Sequence, residues 1–337
     1  MNIINGCALR DGLKPMRPEA SELWIVDAWI DFRHDPLPRK IQNSPVETVI
    51  TDTLWAIKDY KFNNMIVYTG AYFYRQLESY KLIQARLPNE ISTNRNFCFS
   101  SNKNLFTRLL TVKLIEYFQL SNFSYTFNGQ NGQLKQDEID YLGLNSLAMD
   151  NSLRDFIKNP VQLSNNLIYN QLEQREVSNE MQLLNVHSTN LIENLLPIFK
   201  TSAVHLITEP SMVEWCVYTE KTLNAVLSLN IPIWIGGYKM VENFRNIGFD
   251  VFDDIIDNSY DTYDNMFDRC YYAFEKNKRL LTDIEYATQL RHNIKDRLIA
   301  NKDFALSDKI HQDFQDRINS FACSERAKKY CRRFVYG

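Results

Sequence analysis

The stretch HLITEPSMVEWCVYTEKTLNAVLSLNIPIWIGGYKMVENFRNIGFDVFDDIIDNSYD, residues 205–261, decides the fold. It begins inside an apolar run, Val204 to Ile207, that ends in Thr208-Glu209. A loop follows, and Thr219-Glu220-Lys221 leads into a helical pattern through Asn230. Pro232 breaks that helix, and Ile231 to Ile235 reads as a buried strand stopped by Gly236-Gly237. Strand, loop, helix and strand in so short a span form one unit of a parallel sheet. In such sheets ligands bind beyond the carboxyl ends of the strands.

The chemistry of this stretch sits where the helix starts. Thr219 suits the N-cap, and the free backbone N–H groups of the first turn then make an anion site. Lys221 adds a mobile point charge suited to a phosphate. Glu220 suits sugar hydroxyls, because a carboxylate only accepts hydrogen bonds. Asn224 lies one turn on from Glu220 and three residues from Lys221, so these polar groups can share a face. Leu223, Val226 and Leu227 form the side turned inward. The plainer reading of the same residues is a capped helix whose first-turn glutamate merely suits the dipole.

The wording ITEP, YTEKTLNAVLSLNIPIWIGG and NIGFDVFDDIIDNSYD resembles the nucleotide-sugar half of the fucosyltransferase-like glycosyltransferases. The likeness is close over residues 205–261 and weaker over most of the chain after residue 95. It extends to viral and bacterial relatives of unassigned acceptor. The resemblance implies an α/β fold of the GT-B kind, with two Rossmann-like domains facing a cleft. It implies inverting transfer of a sugar from a nucleotide diphosphate sugar, a GDP-sugar being favoured. The donor is a co-substrate, and no cofactor is implied. Glu220 would then hold ribose or sugar hydroxyls, Lys221 the diphosphate, and Asn224 and Glu209 would support the donor pocket.

The segment after residue 95 fits the same picture. Asn96 to Ser101 reads as a strand running into Asn102-Lys103-Asn104, and the helix beyond turns Leu105, Leu109, Val112 and Leu120 inward. In the family an arginine at the head of this helix holds the donor phosphates, and Arg108 stands in that place, with Asn102 and Lys103 at the start of the turn. A guanidinium can grip two phosphate oxygens at once. Asn104-Leu105 departs from the family pattern, where further basic residues are usual.

The bulk numbers agree with a soluble globular protein of two domains. The chain has 337 residues, 45% hydrophobic and 23% charged, enough for two cores. A formal net charge of −3 sets up no global field for nucleic acid. The six cysteines show no CxxC or metal spacing, which suits a reducing, cytoplasmic compartment. No apolar run is long enough to span a membrane, and the N-terminus lacks signal-peptide architecture.

Residues 1–90 read as a small α/β domain, which the resemblance implies is the acceptor side. Leu23 to Val26 and Met65 to Tyr68 are strands, while Val46 to Lys58 and Tyr72 to Ala85 are helical in period. Asp27, Asp31 and His34, with Asp35, cluster past the first strand and are the candidates for the general base that takes the acceptor proton. Glu78 is a weaker one. Turn-shaping is the alternative role for all of them. The nucleotide-sugar domain runs over 91–262, with strands at 123–127, 204–207 and 231–235 and a polar helical insertion over about 133–186. A helix over Thr189–Lys200 feeds the strand at 204.

Residues 263–337 read as helices. The tail carries Arg326, Lys328, Lys329, Arg332 and Arg333 among aromatics, which is either a solvated helix end or a weak surface contact. Asp253, Asp254 and Asp257 look like a metal-binding carboxylate set, but they read as part of a short structural helix, so no metal is expected. The acceptor stays open between a glycan, the default, and hydroxymethylated bases of viral DNA, which would require a basic groove. A non-catalytic module that holds a nucleotide sugar is the remaining alternative.

Overall fold

In the computed structural model, the described residues are 23–26, 48–51, 54–55, 65–68, 77, 79–101, 106–127, 132–163, 191, 195–209, 215–216, 218–310 and 312. The central element is a four-stranded, all-parallel sheet. Its strands are β5 (Arg95–Ser101), β6 (Phe123–Phe127), β7 (Ser202–Thr208) and β9 (Ile231–Ile235), in the order β6-β5-β7-β9. Every residue of β7 and β9 is buried. Near-continuous apolar runs of this kind are what parallel strands covered on both faces require.

The order carries the functional consequence. From β5 the chain crosses to β6 on one side, and from β7 it crosses to β9 on the other. The direction of winding therefore reverses between the neighbours β5 and β7, which is where α/β sheets open a crevice at their carboxyl edge. Two helices make these crossovers, α1 (Phe106–Tyr117) and α5 (Glu220–Leu227). Right-handed crossovers place them on opposite faces.

Packing agrees with that placement. Helix α1 lies against α7 (Met266–Lys276), with Phe118 stacked on Phe274 at 5.8 Å and Tyr117 near Tyr271 at 6.3 Å. Helix α5 lies against α10 (Lys295–Leu306). Helices α8 (Lys278–Thr282) and α9 (Ile284–Asn293) lie against β5, and Asn96 donates to the Leu280 carbonyl at 3.1 Å. The fully buried Arg291 on α9 donates to the carbonyls of Ser92, Lys200, Ser228 and Leu229. Its guanidinium thereby satisfies several chain turns that would otherwise bury bare carbonyls.

The expected strands at 23–26, 65–68, 123–127 and 231–235 coincide with β1 (Leu23–Val26), β4 (Met65–Tyr68), β6 and β9. The helical reading of Val46–Lys58 does not hold. Thr48–Thr51 is a strand, β2, and Leu54–Trp55 a short one, β3. The run Thr-Val-Ile-Thr is β-branched throughout, so its χ1 stiffness favours a pleated strand over a helix. Strands β1, β2 and β4 form a second parallel sheet in the order β1-β2-β4. The short β3 pairs antiparallel with β8 (Trp215–Cys216), just ahead of α5.

The described part of the insertion holds α2 (Gln136–Gly143) and α3 (Asn151–Lys158), and α4 (Leu196–Phe199) precedes β7. Residues 79–90 are tied to the helices around the larger sheet. Tyr80 donates to Asn224, Lys81 pairs with Asp308, and Lys302 donates to the Pro88 carbonyl.

Candidate functional site

Helix α5 begins at the carboxyl end of β7, and its start is held from within. Thr219 is the N-cap, with extended backbone and a hydroxyl that accepts from the Lys221 N–H at 3.3 Å. That hydroxyl donates its proton to Glu209 at 2.5 Å and also accepts from Lys221 Nζ at 3.4 Å. One donor and two lone pairs are all a hydroxyl offers, so Thr219 is saturated.

Glu209 sits just past β7 and is fully buried. Its carboxylate accepts from Thr219 N at 2.9 Å and from the Thr222 hydroxyl at 2.6 Å. Thr222 in turn accepts from Trp234 Nε1 on β9 at 3.1 Å. Burial pushes the Glu209 carboxyl above the usual range, and the Lys221 charge opposes that shift. Glu209 therefore clamps the start of the helix to the end of β7.

The remaining predicted groups on this helix divide. Lys221 is 8% exposed and pairs with Glu220 at 2.7 Å. Glu220 is half-buried, the most open of the set. Asn224 is buried, and its side-chain carbonyl accepts from the Tyr80 hydroxyl at 2.8 Å, so that oxygen is used in packing the 79–90 segment. His205, on β7, is buried against Phe199 at 4.5 Å, and its pKa is lowered to about 3 by burial and by the Lys221 charge.

On the other side of the reversal point, Arg108 lies in the first turn of α1 and is 2% exposed. Its helix starts beyond β5 and α5 starts beyond β7, so the two first turns flank the reversal point at one edge of the sheet. Three groups there escaped the sequence reading. Ser101 ends β5, Thr208 ends β7, and Thr107 opens α1. All three are buried, and their hydroxyls have no hydrogen-bond partner among the described residues. The register Phe99↔Leu206 carries Ser101 level with Thr208. Hydroxyls closing two apolar strands were the available signal. Each unpaired buried hydroxyl costs about 1–3 kcal/mol, a cost that a bound polar ligand removes.

Asp27, Asp31 and His34, along with Glu78, Asn102, Lys103 and the basic tail, lie outside the described residues. The aspartates of the 253–257 segment sit in a turn and not on a short helix, and the 3₁₀ helix follows at Asn258–Thr262. Their carboxylates already have partners. Arg245 grips Asp253 with two bonds at 2.7 and 2.9 Å, and Arg297 grips both Asp250 and Asp254. Asp257 caps the 3₁₀ helix through Ser259 N at 3.0 Å. Among the described residues no cluster of His, Cys, Asp and Glu has a metal-binding arrangement, and no helix is long and apolar enough to cross a membrane.

Comparison with family models, with curated proteins and with solved structures finds no match for this chain.

Proposed function

We propose that the protein is a glycosyltransferase of the GT-B kind, moving a sugar from a nucleotide diphosphate sugar to a hydroxyl acceptor. One observation carries the reading. Two helix first turns, bearing Arg108 and Lys221, flank the reversal point of a parallel sheet where Ser101, Thr107 and Thr208 hold unsatisfied hydroxyls. A pyrophosphate suits that edge, because helix N-termini, a guanidinium and an ammonium all favour anionic oxygen. In the transfer, the acceptor oxygen attacks the anomeric carbon and the bond to the diphosphate oxygen breaks. The electron pair leaves on the phosphate, where Arg108 and Lys221 stabilise it. The acceptor proton goes to a base proposed among Asp27, Asp31 and His34. A GDP-sugar is the first donor to test, from the sequence resemblance.

A second reading, a module that holds the nucleotide sugar without turning it over, is favoured by the closure of the set. Lys221 is paired with Glu220, and a ligand must displace that contact. A panel of nucleotide sugars with wild-type and Lys221→Ala protein separates the readings. Transfer or hydrolysis that falls by roughly two orders of magnitude in the variant, at nearly constant melting temperature, supports the enzyme. Binding without turnover supports the module, and no binding at all removes both.

A further inference from the structure

A cleft of about 650 Å³ opens between the turn after α2 and the segment leading into α7. It sits at the carboxyl edge of the sheet, since Arg269 in its lining donates to the carbonyl of Gly236, the residue after β9. Its size falls within the roughly 300–1,000 Å³ typical of small-molecule sites. The described residues have four exposed large hydrophobic side chains, and three of them line this cleft: Tyr141, Leu144 and Leu147 at 38%, 65% and 76%.

The walls are built and fixed. Asp268 accepts from the Ser146 hydroxyl at 2.5 Å, from Leu147 N at 2.8 Å and from Ala148 N at 3.1 Å. Asn265 donates to the carbonyls of Leu142 and Leu144 at 3.1 and 2.8 Å. The turn is thereby sewn to the start of α7, and a ligand meets a surface already in place. Tyr263, stacked on Tyr272 at 4.6 Å, supplies an aromatic wall.

The charge of the lining selects the ligand. Arg269 is the only basic residue in it among the described residues, and its guanidinium donates to the carbonyls of Tyr263, Asp264 and Gly236. Asp264 and Asp268 add carboxylates. That balance disfavours a phosphate or a polyanion. An apolar rim over amide, hydroxyl and carboxylate groups matches a ligand with one C–H face and a ring of hydroxyls.

We propose that this cleft binds neutral saccharide units and is the acceptor subsite. The acceptor role rests on the transferase reading above, whereas saccharide binding does not. The test is saturation-transfer NMR and calorimetry with methyl hexopyranosides and neutral di- and trisaccharides. Wild-type protein, Leu147→Asp, Leu144→Asp and the control Leu82→Asp are compared, the last placing the same change at an exposed leucine outside the cleft. The expected result is saccharide binding by wild type and Leu82→Asp, weakened about tenfold or more in both cleft variants at unchanged melting temperature. Equal binding by all four proteins, or no saccharide bound by wild type, overturns the proposal. Donor binding, measured separately on wild type, tests the transferase reading. A protein that binds saccharide but no nucleotide sugar keeps the cleft and loses its acceptor role.

Discussion

The Thr219 hydroxyl donates to the Glu209 carboxylate while the Thr219 N–H donates to the same group, so one buried acid holds the first turn of α5 to the end of β7. Removing it strands three donors in a dry environment. Glu209→Ala should lower stability by about 3 kcal/mol, from the cost of buried unsatisfied groups. Urea denaturation measures this, and a loss below about 1 kcal/mol would show that the clamp is dispensable.

His205 gives a pH signature whose sign is fixed by its surroundings. Its folded pKa, about 3, lies below its unfolded value of 6.5, so the unfolded chain binds a proton first. The stability this neutral ring contributes is complete above pH 6.5 and is lost as pH falls toward 3. The slope approaches roughly 1.4 kcal/mol per pH unit within that window. His205→Leu should flatten the slope between those limits relative to wild type. Parallel denaturation curves for the two proteins would count against a buried, uncharged ring.

Glu209 works in the opposite direction. Its carboxyl is raised in the folded protein, so its contribution is full below the ordinary carboxylate pKa and is lost as pH rises through the raised value. Glu209→Gln keeps an acceptor for Thr219 and removes that titration. Stability of the variant relative to wild type should increase with pH above about 4.5. A constant difference across the range would show that Glu209 is ionised as easily in the fold as outside it.

Tyr80 and Asn224 lie far apart in sequence and meet through one buried hydrogen bond. Tyr80→Phe preserves the ring and deletes the hydroxyl, which should cost about 1 kcal/mol. The change also frees the Asn224 side chain on α5. A double-mutant cycle with Asn224→Ala should return a coupling of about that size, and a coupling near zero would separate the two residues energetically.

Gly248 ends α6 (Met240–Ile247) at φ +117°, and a Cβ there would stand 3.0 Å from the Phe304 ring. Gly248→Ala should therefore lose about 1–2 kcal/mol through backbone strain and crowding against α10. Thermal melting reads the effect, and a neutral outcome would mean that Phe304 gives way freely.

What could be read in the residues beforehand was the strand-helix-strand unit of the larger sheet. Ile231–Ile235 and Phe123–Phe127 match their expected bounds because turn-forming residues follow each apolar run. Val46–Lys58 misled because its apolar spacing also fits a helix, and β-branching was outweighed by period. Arg108 was named from the family resemblance and Lys221 from its place in a helix first turn, and both lie buried in such first turns. Ser101, Thr107 and Thr208 were not named, since a hydroxyl at a strand or helix end is ordinary until its surroundings deny it a partner. Asn224 was placed on the ligand face, because nothing local shows that Tyr80 arrives to occupy it.

The pairing of Leu54–Trp55 with Trp215–Cys216 has a bearing on how the chain can be divided. A fragment holding only the larger sheet and its helices would keep Trp215–Cys216 but lose the strand that satisfies its backbone. It would then present bare N–H and C=O groups beside the N-cap, an open edge that invites self-association.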